Sequence, residues 1–368
     1  MAKRRSKKAS RAYKRRRTRR IVFGIEILVL LLLVGALFVY AQINGKLDLL
    51  HKTDIDVTDV GISEEVMQDE NLTGYTNLAL FGVDSRDGSL DKSRSDTMII
   101  ASINNDTKEV RLVSLYRDTW LDIGDDKFTK CNAAYNNGGP QKALKMINSN
   151  LDMNIEDYVT VDFAALIKTI DLLGGLDDIT ITEEECVHLN NYMVELKKVT
   201  GTDYDELPGE GTYHMTGIQA TAYARIRYTA GDDFKRTERQ RLIINKIVEK
   251  AKTSSLSTLT SIMDEIFPMV STSLTKSEIL NMGMSMLSYE MGEQSGFPFD
   301  YAIGETVKER VGADCVVPVT LQTNVEALHE FLFENEAYSP SKTVIERSQY
   351  LENKSGYHAE EKEESSEE

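Results

Sequence analysis

The chain has 368 residues, 41% of them hydrophobic, enough for one large core or two modest ones. Its formal net charge of −16 is unevenly divided: residues 1–20 carry twelve Lys or Arg and no acid, whereas residues 21–368 carry 31 basic and 59 acidic groups. So acidic a body argues against a nucleic-acid partner, and three cysteines without a CxxC pair, beside five scattered histidines, argue against a zinc site or a thioredoxin-like motif.

Residues 21–40, IVFGIEILVLLLLVGALFVY, hold one charge in twenty, the length of a bilayer-spanning helix. The basic block before them is the positive-inside signal, so the N-terminus is expected in the cytoplasm and everything after Tyr40 outside. The apolar run exceeds the 7–15 residues usual in a signal peptide, which favours a retained anchor. Residues 41–75 are polar and acidic and read as a stalk. Asn77–Val83 is an apolar run suited to a buried strand, delivering Asp84, Ser85 and Arg86 at its end. A polar loop leads to Arg94, Ser95 and Asp96, then to a second strand over 97–104. A turn and a third strand over 109–116 end at Arg117 and Asp118.

Beyond a Gly138-Gly139-Pro140 break, a helix is expected over 141–151 and a strand over 158–161. Asp162 caps a helix to Leu173, stopped by Gly174-Gly175, and 178–182 is a further strand. Residues 183–211 are polar and give no clear pattern. Thr216 caps a helix leading into the stretch 222–241, AYARIRYTAGDDFKRTERQR. Arg225 and Arg227, two apart, would share one side of a strand there, while Arg236, Arg239 and Gln240 begin a helix that runs to about Lys252. Thr275 and Glu278 form a capping box before a Met-rich helix, and Thr323 with Glu326 repeats the pattern before a last helix ending near Phe333. From Ala359 the tail holds six Glu and one Lys, a solvated composition.

The expected fold is α/β: a mixed central β-sheet with helices on both faces, plus one N-terminal transmembrane helix. Its divisions are a basic segment 1–20, the span 21–40, the stalk 41–75, a body 76–337 and an acidic disordered tail 338–368. Export would permit a disulfide between Cys186 and Cys315, although nothing in the sequence brings them together.

The chemically loaded residues fall at strand ends, where open α/β sheets bind ligands. Guanidiniums match phosphate oxygens two at a time. Two carboxylates, Asp84 and Asp96, beside Arg86, Arg94 and Arg117 suit Mg²⁺, a cation that shares oxygen ligands with substrate phosphates. A pyrophosphate so held is ready for attack, its leaving phosphate neutralised as it departs.

FGVDSR, RSDTM, SLYRDT, CNAAYNNGG, ATAYARIRY and DDFKRTERQ together resemble the LytR–CpsA–Psr proteins of Gram-positive bacteria over residues 76–252. The resemblance implies a membrane-anchored, Mg²⁺-assisted phosphotransferase that moves a teichoic acid or capsular glycopolymer from polyprenyl pyrophosphate onto peptidoglycan. It implies Asp84 and Asp96 as metal carboxylates and Asp233 as a further catalytic acid. Arg94, Arg117, Arg225, Arg227, Arg236 and Gln240 become the pyrophosphate clamp, with Arg86 and Arg239 beside them. Cys131 stands where the family usually has an aliphatic residue, and Lys235 where it often has Gly. An apolar pocket for the lipid is expected near Phe163, Leu166, Ile167 and Ile170, residues that serve equally well as core. Two other readings use the same residues: a non-catalytic binder of polyprenyl phosphates or wall polymer, and a pyrophosphate hydrolase.

Overall fold

The computed structural model describes residues 45–85, 90, 93, 95–227, 232–335 and 337–359. The basic segment, the span 21–40, Arg86, Arg94 and the end of the acidic tail lie outside them. No helix among the described residues is long and apolar enough to cross a membrane. The chain divides into two units, 1–49 and 50–368; of the first, only 45–49 are described, ending in a 3₁₀ turn over Leu47–Leu49.

The second unit is built on a seven-stranded mixed sheet. Its strands are β1 (His51–Lys52), β2 (Tyr75–Val83), β3 (Ser95–Asn104), β4 (Glu109–Leu115), β5 (Asp157–Asp162), β6 (Ser271–Thr272) and β7 (Glu290–Phe297), in the spatial order β1-β6-β5-β2-β3-β4-β7. β2, β3 and β4 form an antiparallel meander, while β5 runs parallel to β2 and β7 parallel to β4. The central strands are largely apolar through their middles because both faces are covered. Ala79, Phe81, Met98, Ile100, Val113 and Leu115 pack into one cluster; Leu78, Ile99, Ala101, Ile103 and Leu112 pack into another on the opposite face.

Helices bury both faces. In chain order they include α1 (Asn132–Leu151), α2 (Phe163–Leu172), α3 (Glu183–Thr200), α4 (Gly217–Arg225), α5 (Asp232–Thr253), α6 (Lys276–Ser285), α7 (Leu321–Phe333) and α8 (Lys342–Ser355). α1, α7 and α8 supply Leu144, Ile147, Leu328 and Val344 to the first cluster. α5 and α6 set Ile244, Ile279 and Met282 against the second. α1 begins before the glycine break and resumes after it, Gly139 taking a φ of 63° that a side chain would resist. A third cluster holds α2, α3 and α4 together with a small hairpin, Leu176–Ile181 with Gly211–Met215.

Several expectations need correction. Residues 51–74 are not a free stalk: His51–Lys52 joins the sheet, and Val60, Val66 and Leu72 lie in the main core. The segment 338–359 is not a solvated tail either. α8, capped by Ser341 and ended by Gly356 in the left-handed conformation, buries Val344 and Leu351, and Arg347 pairs with buried Asp122 at 2.6 Å. Its two buried apolar positions, seven apart, suffice to dock a helix whose composition is otherwise polar. α7 is capped by Thr320 rather than Thr323, and α8 follows it. The stretch with no pattern contains α3, whose Cys186, Leu189, Met193 and Leu196 form one buried face. Cys131, Cys186 and Cys315 are free and buried; Cys186 and Cys315 belong to different clusters, so no disulfide joins them.

Candidate functional site

Register brings the loaded residues to one end of the sheet. Val83, the last residue of β2, pairs with Ser95 at the start of β3 and with Asp162 at the end of β5, and Leu115 at the end of β4 pairs with Met98. Asp84, Asp96, Arg117 and Phe163 are therefore neighbours although up to 79 residues separate them. Val83 faces Ser95 and Gly82 faces Thr97, which leaves Asp96 as the extra residue of a β-bulge. A bulge re-aims a side chain, and here Asp96 lines a cavity of about 1000 Å³ together with Asp84, Arg117, Asp118, Lys130, Arg225, Arg227, Arg236 and Gln240.

The arginines do not arrive as expected. Arg225 is the last residue of α4, and Arg227 follows once Ile226 has left the helical conformation with ψ 128°. No strand carries them. The alanines at 220, 222 and 224 and the Thr216–Gln219 capping box make that apolar run helical, and the two-residue spacing is incidental. Arg236 and Gln240 lie on one face of α5, as their four-residue spacing predicts.

Asp233, in the first turn of α5, organises the guanidiniums. Its Oδ1 accepts from Arg227 Nε at 2.9 Å and lies 3.4 Å from Arg236 Nη1, while its Oδ2 accepts from Arg117 Nε at 3.2 Å. Arg117 Nη1 also donates to Asp96 Oδ1 at 2.8 Å, and Arg236 Nη2 donates to the Asp96 carbonyl at 3.0 Å. Burial works against the Arg117 charge, yet Asp233, Asp118 and Asp96 outweigh it and hold its pKa above the ordinary value. Arg236 is only 3% exposed, and burial pulls its pKa below the ordinary value despite Asp233. Its Nε and the Gln240 Oε1 are buried without a hydrogen-bond partner among the described residues. Orphaned polar atoms at a cavity wall are what a ligand would satisfy.

Aromatic packing fixes this corner from behind. The Phe234 ring lies edge-on to Tyr116 and stacks on Tyr301, both at 4.5 Å, so the residues beside Arg117 and Asp233 are wedged together. Burial, reinforced by Tyr301, pushes the Tyr116 phenol up to about 12, and it stays neutral. The Cys131 sulfur lies 3.3 Å from the carbonyl oxygens of Tyr116 and Arg117, tying the start of α1 to the same backbone.

Arg225 is held differently. Its guanidinium lies over the Phe163 ring at 4.5 Å and the Tyr192 ring at 5.3 Å, and 3.6 Å from Glu195. Phe163 lines the cavity, whereas Ile167 and Ile170 are buried in the third cluster as core. Arg239 is not among the cavity-lining residues. At 5% exposure it donates to Glu185 through Nε at 2.9 Å and to the Ile226 carbonyl at 3.1 Å, bracing α3 and α4 against α5.

Sequence reasoning missed Lys130, which lines the cavity and donates to Asp118 Oδ2 at 2.9 Å. It sits on a three-residue strand, Phe128–Lys130, too short to show a period. Asp118 was visible beside Arg117 but had no assigned role.

Among the described residues no three His, Cys, Asp or Glu side chains cluster tightly enough to cage a metal ion. The donor set nonetheless suits a hard cation that keeps places for substrate oxygens. Asp84 and Asp96 line the cavity, and the unpartnered Gln240 oxygen is close in sequence and space to the arginine corner.

A sequence model of the LytR_cpsA_psr family matches residues 39–299. The polyisoprenyl-teichoic acid–peptidoglycan teichoic acid transferase TagU of Enterococcus faecalis is 32% identical over 234 residues, covering 62% of this chain and 70% of that protein. The crystal structure of protein gbs0355 from Streptococcus agalactiae superposes with a TM-score of 0.59 at 23% identity, covering 76% of this chain and 92% of that one. Bacillus subtilis TagV superposes with a TM-score of 0.54 at 23% identity, covering 72% and 98%. The two structures share the fold.

Proposed function

The chain belongs to the LytR_cpsA_psr family, and on that premise we propose that it transfers a glycopolymer from a polyprenyl-pyrophosphate carrier to peptidoglycan. The observation that carries this reading is the single carboxylate of Asp233 holding Arg117, Arg227 and Arg236 at the wall of one cavity. Such an arrangement keeps three planar forks apart and oriented, ready for phosphate oxygens. TagU-type relatives act on teichoic acid, which makes an anionic wall polymer the favoured cargo.

In the transfer, an acceptor hydroxyl oxygen bonds to the phosphorus that bears the glycan. The bond from that phosphorus to the bridging oxygen breaks, polyprenyl phosphate leaves, and the hydroxyl proton passes to solvent. Arg117, Arg227 and Arg236 bind the phosphate oxygens and stabilise charge as it builds on the leaving group. Asp233 and the Tyr116–Phe234–Tyr301 packing keep those guanidiniums from following the departing phosphate. Asp84 and Asp96 would hold Mg²⁺, which would supply further neutralisation of the pyrophosphate. The twelve basic residues before the apolar segment 21–40 support a single-pass anchor in the cell membrane, with the body outside.

The test is direct. The full chain in detergent is incubated with a short-chain polyprenyl-pyrophosphate glycan and peptidoglycan oligomers, and the phosphodiester product and free polyprenyl phosphate are measured. Product is expected from the wild type and is abolished in Asp96→Ala or by excess chelator. Polyprenyl phosphate without glycan-linked peptidoglycan would mean hydrolysis, and undiminished turnover in Asp96→Ala would defeat the metal assignment.

A further inference from the structure

We propose that a second cleft, at the end of the sheet opposite the arginine cavity, binds a primary ammonium group carried on a short aliphatic chain. The proposal stands apart from the transferase reading, since it uses none of the arginines and no arm of its test measures transfer. The arginine cavity opens where β2 ends. This cleft lies where β2 begins, lined by Asn77, by Asp157 at the start of β5 and by Met67 and Asp69 of the segment 51–74. Asn77 and Asp84 are seven residues apart, about 23 Å along a strand at roughly 3.3 Å per residue. The cleft's volume of about 390 Å³ falls at the compact end of small-molecule sites, which span roughly 300–1,000 Å³.

Its chemistry is one-sided. Asp69, Glu156 and Asp157 contribute carboxylates, and no Lys, Arg or His lines the cleft among the described residues. None of the three acids forms an ion pair among those residues. Solvated carboxylates need no partner, so the acids alone assign nothing. The deciding group is the Asn77 side chain. It is 7% exposed, its Nδ2 donates to Asn154 Oδ1 at 2.6 Å, and its Oδ1 is buried without a hydrogen-bond partner among the described residues. A buried acceptor left unmade is costly, and a donor entering from the cleft removes that cost. Asp157 points the same way. Burial lifts its carboxyl above the ordinary value; the Ser273 hydroxyl, donating at 2.7 Å, offsets only part, and Glu278 adds to the rise.

The ligand class follows from these groups. An unsatisfied acceptor calls for a donor and unpaired carboxylates call for positive charge; an ammonium supplies both, with three N–H bonds. Ile62, Met67, Leu72 and Tyr75 give apolar surface along which a methylene chain lies. A bare metal ion fits less well, because among the described residues no three His, Cys, Asp or Glu side chains converge enough to hold one. The same ammonium occurs in a free diamine and in the side chain of a lysine-type residue of a peptide. The experiment separates the two.

The full chain in detergent is titrated calorimetrically, at about 0.15 M salt, with 1,4-diaminobutane, Nα-acetyl-lysine amide, the uncharged Nα-acetyl-norleucine amide and calcium chloride. One variant combines Asp69→Asn with Asp157→Asn, which keeps the acceptor that caps the turn at Asn71 and the acceptor for Ser273. A second is Asn77→Ala. A control, Glu309→Gln with Glu330→Gln, makes the same change in net charge at exposed positions outside the cleft. Saturable binding of one equivalent of amine is expected, about tenfold weaker in the aspartate pair and in Asn77→Ala, and within about twofold of wild type in the control. Thermal midpoints are recorded, and the aspartate pair carries the test alone if Asn77→Ala unfolds. Tighter binding of the lysine amide assigns a peptide side chain, and tighter binding of diaminobutane a free amine. Four results would overturn the proposal: no saturable binding of either amine, an aspartate pair no weaker than the control, a norleucine amide that binds as tightly as the lysine amide, or calcium that binds more tightly than both amines and is lost in the aspartate pair.

Discussion

Replacing Asp233 by Asn removes one charge and almost no volume, and its consequences divide along the lines of the proposed mechanism. The carboxylate is 18% exposed and lies within 3.4 Å of three guanidiniums. Breaking a fully buried pair by removing one partner costs about 3–5 kcal/mol. Here the site is partly open, Asn keeps an acceptor oxygen, and Arg117 retains Asp96 at 2.8 Å and Asp118 at 3.5 Å. The expected loss is therefore about 1–3 kcal/mol, a fall of several degrees in thermal midpoint. Binding of inorganic pyrophosphate should move the other way or not at all, since the site has become more positive. Stabilisation by pyrophosphate should accordingly be at least as large in the variant as in wild type. Turnover should drop by about 10- to 100-fold, the equivalent of one misplaced charge-assisted bond of roughly 1.5–3 kcal/mol. Thermal denaturation with and without pyrophosphate, beside the transfer rate, reads all three. Proportional loss of pyrophosphate binding and turnover would refute the argument, because it would make Asp233 a ligand contact or a folding residue rather than an orienting one.

Arg239→Lys and Arg227→Lys should behave as opposites. The first removes the fork that joins Glu185 to the Ile226 carbonyl and should cost about 1–3 kcal/mol of stability with donor affinity retained; the second should lower donor affinity and rate at nearly unchanged stability, and equal thermal midpoints for the two would contradict the placement of Arg239. For topology, protease added to intact protoplasts should remove the body, and its full protection would reverse the orientation drawn from residues 1–20.

The fold was legible where burial leaves a periodic or continuous trace. β2, β3 and β4 are covered on both faces, so their apolar runs are nearly continuous and their ends could be placed to within about two residues. Helix starts were legible where a cap has its own chemistry: Asp162 accepts from the Ala165 amide, and Thr275 and Glu278 form the reciprocal box. α3 was hidden because only four of its eighteen residues are buried, and its apolar positions include exposed Val187, Val194 and Val199 that blur the stripe. α4 was misread beyond Ala224 because a short apolar run with alternating arginines fits a strand as well as a helix end. Periodicity alone cannot arbitrate over so few residues.

The site shows a different limit. Sequence identifies residue types that suit phosphate, but it does not say which arginine faces the ligand and which faces another helix. Arg236, Arg239 and Gln240 lie within little more than one turn of α5, yet Arg236 and Gln240 line the cavity while Arg239 is spent on Glu185, 54 residues earlier. That partner comes from α3, an element the sequence did not reveal, so the error at Arg239 follows from the error at α3. Asp233 shows the converse. Its three partners come from β4's end, α4's end and its own helix, and only the assembled sheet end makes one carboxylate the shared counter-charge of all three. If the guanidiniums are positioned for a ligand, the acid that spaces them must be as exacting a requirement as the arginines themselves. A chain with every arginine intact and Asp233 replaced by Asn should then bind pyrophosphate as well as wild type and transfer about 10- to 100-fold more slowly.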